Sequence, residues 1–205
     1  MEINTKIELI TDRFIQATGI LALGAYVLSA IDVNLIPTKL LLPFAFLLGC
    51  IGIIAIVNIH SKYSFRAKNH RYYIAGMVFI IIAFFQLTLM VVVQQSTIYF
   101  YSKVNSTLLN AESYFTLINS IQLGMDVVFD IFYCIGIILF SFSFISVNGN
   151  SIVGWYGILV SIPLLTFNLT TFPMPPKSAG FFDIGILSIL WWILLIKEMK
   201  TQSKK

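Results

Sequence analysis

MDVVFDIFYCIGIILFSFSFISV, Met125 to Val147, is strongly apolar and uncharged except for two aspartates near its start. A helix needs roughly 20 such residues to cross the hydrocarbon layer of a bilayer. The run is long enough for that, far too long for one strand, and has no proline to interrupt it. It therefore reads as a membrane span. The question it raises is why a lipid-crossing segment opens with Asp126 and Asp130, one helical turn apart.

The same reading extends along the chain. Apolar runs recur at Phe14–Ile31, Leu40–Ile59, Tyr72–Val93, Ile152–Leu169 and Phe181–Ile196, which makes six spans. The composition agrees. Of 205 residues, 58% are hydrophobic and 11% charged, whereas soluble domains carry about 25% charged residues. A soluble fold of this size could not bury so much apolar surface. The expected fold is all-α, a polytopic bundle of six transmembrane helices in a single domain, in contact with the lipid bilayer.

Charge sets the expected orientation. Lys6 and Arg13 precede the first span. Lys62, Arg66, Lys68 and Arg71 lie between the second and third, and Lys197, Lys200, Lys204 and Lys205 follow the sixth. Only Lys39, Lys103 and Lys177 fall on the other side. The positive-inside rule then places both termini in the cytoplasm of a multi-pass cell-membrane protein. An even number of spans agrees. The basic residues flank spans and form no separate patch, which argues against nucleic acid as a partner despite the net charge of +4. The basic loop between the second and third spans is explained by topology and could also meet anionic headgroups. Cys50 and Cys134 sit inside apolar runs without metal-ligand spacing and read as small buried hydrophobes.

The connections differ in length. Asn148–Ser151, NGNS, is a tight polar turn that makes the fourth and fifth spans antiparallel neighbours. Residues 94–124 read as a long, almost uncharged outer loop that caps the bundle, with a helical part lying on the membrane surface. The final outer loop, TTFPMPPKSAG, is stiffened by its prolines. Pro163 predicts a kink in the fifth span, with Ser161 or Thr166 near the freed backbone groups. Gln16, Gln86 and Asn168 read as interhelical hydrogen-bonding groups. Trp191 and Trp192 read as anchors at the end of the sixth span.

Ionisable groups inside spans are costly and are functional candidates for that reason. Asp126, Asp130 and Asp183 are the three, all toward the outer side. Asp183, in the first turn of its span, complements the helix dipole, and Asp126 has a similar structural role available at the interface. Asp130 lies a turn deeper, roughly 6 Å further in. Two carboxylates a turn apart repel each other and lose hydration, which favours a proton, a cation or a basic partner beside them. A plain hydrogen bond to a tyrosine, serine or asparagine is the structural alternative. Carboxylates without histidine suit hard cations or protons rather than zinc. His60 and His70 lie at the opposite end. The identity of any metal stays open, and no cofactor is expected.

The last part of the chain also resembles a known group. GMDVVFD opens the fourth span and GWYGILVSIPLL the fifth, and TFPMPPKSAGFFDIGILSILWW runs through the proline-rich loop into the sixth. In these features the chain resembles uncharacterised bacterial six-helix integral membrane proteins. The resemblance implies six spans and the packing of Asp183 against a proline-rich cap. It implies no activity.

These readings give an outward-opening pocket lined by Asp126, Asp130, Asp183, Tyr133 and Phe172, holding a small ligand or a cation. The alternative is a non-catalytic scaffold or accessory protein acting through the outer loop. A carboxylate-dependent membrane enzyme ranks last, because no nucleophile, Walker loop or paired-histidine motif accompanies the acids.

Overall fold

The structure is a computed structural model that describes residue 13 and residues 38–62, 70–104, 111–176, 180 and 187–202. The described chain is all-helical. Its helices are α1 (Thr38–Lys62), α2 (Arg71–Val104), α3 (Ala111–Val147), α4 (Ile152–Thr171) and α5 (Leu187–Gln202). Three stretches, Arg71–Thr97, Glu112–Val147 and Ile152–Thr171, are long and apolar enough to cross a membrane, and Phe46–Ser61 is apolar but shorter. The expected first span lies outside the described residues, as does the start of the sixth.

Helix α2 shows how the sequence makes both a core and a lipid surface. Tyr73, Gly76, Ile80, Ala83, Leu87 and Met90 are buried at alternating spacings of three and four, the periodicity that keeps one stripe facing its neighbours. The opposite stripe, Ile74, Val78, Ile82, Phe85, Leu89 and Val92, is exposed and equally apolar. A helix facing water would carry charges there. An apolar exterior on an apolar core is what contact with a bilayer requires. Helix α4 repeats the pattern, with Ile152, Trp155, Leu159, Ile162 and Leu169 exposed. Hydroxyls inside these helices bond to their own backbone, as Thr88 Oγ1 does to Phe84 O at 2.9 Å and Thr97 Oγ1 to Val93 O at 2.7 Å. That satisfies them without water.

Packing is densest between α2 and α3, then between α3 and α4. Gly76 and Gly136 let α2 and α3 meet backbone to backbone. A Cβ on Gly76 would lie 2.9 Å from Gly136 O and 3.0 Å from Phe140 N. The core beside this contact contains Tyr73, Ile80, Ile137, Phe140, Phe144, Val153, Trp191 and Leu195. The turn after α3 is as tight as its sequence implies. Ser151 caps α4, its Oγ accepting from Gly154 N at 3.2 Å, and its own N–H donates to Asn148 O at 2.9 Å.

Two sequence expectations need correction. Residues 94–104 continue α2 and residues 111–124 begin α3, so most of the stretch read as a loop is the extension of two long helices. Nothing between Gln94 and Val104, or between Ala111 and Leu123, breaks a helix, because neither segment contains glycine or proline. At 1.5 Å per residue, helices of 34 and 37 residues are about 51 and 55 Å long, against ~30 Å of hydrocarbon. Trp191 also differs from its reading as an anchor. It is fully buried and its indole N–H donates to Val153 O at 3.1 Å, because Gly157 leaves room for the ring against α4.

The end of α1, the start of α2 and the end of α5 gather beside the Asn148–Ser151 turn. His60 stacks on Tyr73 with ring centroids 5.7 Å apart, and Tyr72 lies 6.3 Å from Phe142. Lys62, Arg71 and Lys197 belong to this end. Asp126 and Asp130 lie toward the other.

Candidate functional site

The register between α3 and α4 decides what the aspartates face. The two helices are antiparallel. A Cβ added to Gly157 would collide with Ser141 Oγ and the Trp191 indole nitrogen, so the seam is closed at this point. Eleven residues on from Gly157 is Asn168, and eleven back from Ser141 is Asp130. Eleven residues make about three helical turns, a rise of about 16 Å that returns each side chain to the same face. By this count Asp130 and Asn168 come at about the same level of the two helices. The helices have not splayed apart by then. One to two turns further, a Cβ on Gly124 would be 3.9 Å from Pro173 O, ordinary van der Waals contact. The Asp130–Asn168 level lies between two places where the chains touch.

On α4 the seam reads Gly154, Gly157, Ser161, Leu164, Asn168, all buried. Asn168 is fully buried, and its Nδ2 donates to Leu164 O at 3.0 Å. That bond fixes the amide. Turned over, it would set Oδ1 against another acceptor. Oδ1 is thus held away from Leu164, and it has no hydrogen-bond partner among the described residues. The Ser161 and Ser141 hydroxyls along the same seam share that condition. A buried, unsatisfied acceptor costs about 1–3 kcal/mol. Thr166, expected near the carbonyls that Pro163 frees, bonds instead to Ile162 O at 2.9 Å.

On the α5 side, Tyr133 is the hub. Its hydroxyl donates to Ser188 Oγ at 3.1 Å and accepts from Trp192 Nε1 at 2.6 Å. Its ring stacks on Phe129 at 5.4 Å. Tyr156 adds a bond from its hydroxyl to Leu187 O at 3.2 Å. This network ties α5 to α3 and α4 directly below the Asp130 level.

The expected site residues are distributed as follows. Asp126 and Asp130 are both half-buried on α3, and neither is isolated. Tyr133 is a turn deeper and almost fully buried. Phe172 ends α4 at the level of Asp126 but is 57% exposed. Asp183 lies outside the described residues. Four of the five thus fall at one end of the α3–α4 pair. The Tyr133 hydroxyl is already engaged by two partners, Ser188 and Trp192. Among the described residues no group of three or more His, Cys, Asp or Glu side chains is placed to hold a metal ion. Asn168 is the polar group that the sequence reading undervalued. The signal was available in the heptad-like spacing that puts it in line with two helix-packing glycines.

Searches against models of known protein families, curated proteins and solved structures each return no match. The functional reading therefore rests on the site itself.

Proposed function

We propose that this chain is a multi-pass protein of the cell membrane, a six-helix bundle with both termini in the cytoplasm. Its work is to bind or move a small ligand or cation at an outward-facing acidic site built on Asp126 and Asp130, with Asp183, Tyr133 and Phe172 around it. One observation carries the reading: two half-buried carboxylates sit a turn apart on α3, toward the end opposite Lys62, Arg71 and Lys197. Intramembrane acids are expensive to keep and mark ion or substrate paths.

Flux in proteoliposomes tests it. Wild-type protein is expected to pass protons, alkali cations or small cationic solutes. Asp130→Asn should reduce that flux at least tenfold while the protein still purifies as a folded species. No Asp130-dependent flux or binding across such a panel would sink this reading.

A second reading has its own support. The α2–α3 extension carries exposed Tyr114, Phe115, Leu117 and Ile121, a surface suited to a protein partner. In that case Asp130→Asn would be silent, while alanine at Phe115 and Leu117 would abolish co-purification.

A further inference from the structure

We propose that Arg71 and Tyr72, at the start of α2, hold the headgroup of an anionic phospholipid whose acyl chain lies on the exposed apolar stripe of that helix. The site is at the end opposite Asp126 and Asp130 and does not depend on what those acids do.

Arg71 stands in line with the lipid surface of α2. Counted in steps of three and four, it heads the stripe formed by Ile74, Val78 and Ile82, and all four side chains are exposed. A basic residue one turn above an apolar, lipid-facing run lays its methylene stem on that surface and keeps its charge at headgroup depth. Two aromatic side chains mark the same depth independently. Tyr72 is 6.3 Å from Phe142 on α3. A Cβ on Gly154 would lie 2.9 Å from Ser141 O, which brings the next residue, Trp155, to the level of Phe142. Trp155 is exposed, and its indole N–H donates to Gly149 O at 3.2 Å. An exposed ring with its polar edge bonded to a turn is how tryptophan sits at a membrane boundary.

The guanidinium is also held in place. Arg71 Nη2 donates to the Tyr72 hydroxyl at 3.2 Å, and the guanidinium carbon is 4.9 Å from the centre of the Tyr72 ring. Tyr72 is flanked in turn by His70, with ring centroids 5.1 Å apart, and by Phe142. A tyrosine is neutral, so it restrains the guanidinium without cancelling its charge. Arginine carries its N–H donors in a planar fork, and the tyrosine takes one of them. The others suit two oxygens of one phosphate bound side by side. The helix end itself is not the anion's partner. The N–H groups of Tyr72, Tyr73 and Ile74 are already taken by His70 Nδ1 and His70 O. The occupant is a lipid because the guanidinium opens straight onto the apolar stripe, which an acyl chain covers and a free phosphate does not. Topology explains a basic residue at this end of the span. It does not explain the ring and hydroxyl that fix this one.

Native mass spectrometry of the full-length protein in detergent is the test, with dioleoylphosphatidylglycerol, dioleoylphosphatidylcholine and inorganic phosphate as probes. Both lipids carry the phosphate, but choline sets a second cation beside it. The glycerol lipid should bind about fivefold tighter than the choline lipid, the worth of one well-placed basic residue at an anionic surface. Arg71→Gln should remove that preference. Arg71→Lys should keep part of it, because lysine retains the charge and lacks the fork. Lys197→Gln removes an exposed charge at the same end and should leave the preference intact. Equal binding of the two lipids by wild type overturns the proposal. So does a preference that survives Arg71→Gln, or one lost equally in Lys197→Gln, which would mean that net charge alone selects the lipid. Displacement of the glycerol lipid by inorganic phosphate at equal concentration also overturns it, as the mark of a site for the anion alone. Should Arg71→Gln fail to fold, Tyr72→Phe decides. Losing the hydroxyl that orients the guanidinium should weaken the preference, and a preference unchanged in Tyr72→Phe overturns the site.

Discussion

Tyr133 illustrates how a side chain expected to line a pocket can also fasten helices together. Its hydroxyl has a donor on one side and an acceptor on the other, Trp192 Nε1 and Ser188 Oγ. Removing it in Tyr133→Phe strands both in an apolar interior, which should cost about 1–3 kcal/mol. The expected result is a lower melting temperature in detergent and a shift in Trp192 emission, with no change in ligand specificity. Unchanged melting would show that the network contributes nothing. Asp130 was legible from sequence because a charge in an apolar run stands out. Asn168 was legible only as an interhelical hydrogen-bonding group, because a lone asparagine near a helix end is common. Its spacing from Gly154 and Gly157 puts it on the buried face of α4. Trp191 misled for a related reason: a Trp-Trp pair resembles an interfacial anchor, and the glycine that admits its ring lies on another helix.

Helices α2 and α3 were easy to find and hard to bound. Their apolar cores mark them as spans, but polar residues at 94–104 and 111–124 hid the fact that nothing there stops a helix. Polarity marks where lipid ends. It does not mark where a helix ends. The contact between the two helices depends on Gly76 and Gly136. Gly76→Ala would press a Cβ onto the Gly136 carbonyl and the Phe140 backbone, and neither can rotate away. Overpacking of this kind costs about 1–3 kcal/mol. Thermal denaturation should show Gly76→Ala clearly below wild type. Gly149→Ala, where an added Cβ meets nothing within 4 Å, should melt like wild type. Equal melting of the two variants would mean that the close approach is not a constraint.

The distribution of charge between the two ends gives the molecule a direction, and that direction can be measured. Helix α3 runs from the extension beginning at Ala111 to the turn at Asn148–Ser151, farther than the hydrocarbon is thick. Ser113 and Gly149, both exposed, therefore mark opposite ends of one rod. The basic residues Lys62, Arg71 and Lys197 share the Gly149 end, and Lys and Arg near span ends favour the cytoplasm. Cys50 and Cys134 must be replaced first, the buried Cys134 by alanine to keep the core filled with a small apolar group. Single cysteines at Ser113 and Gly149 would then be exposed to a membrane-impermeant maleimide on intact cells. Ser113→Cys should label at once, and Gly149→Cys only after the membrane is permeabilised. Labelling of both from outside would mean that α3 does not cross. The reverse pattern would put Asp126 and Asp130 on the cytoplasmic side.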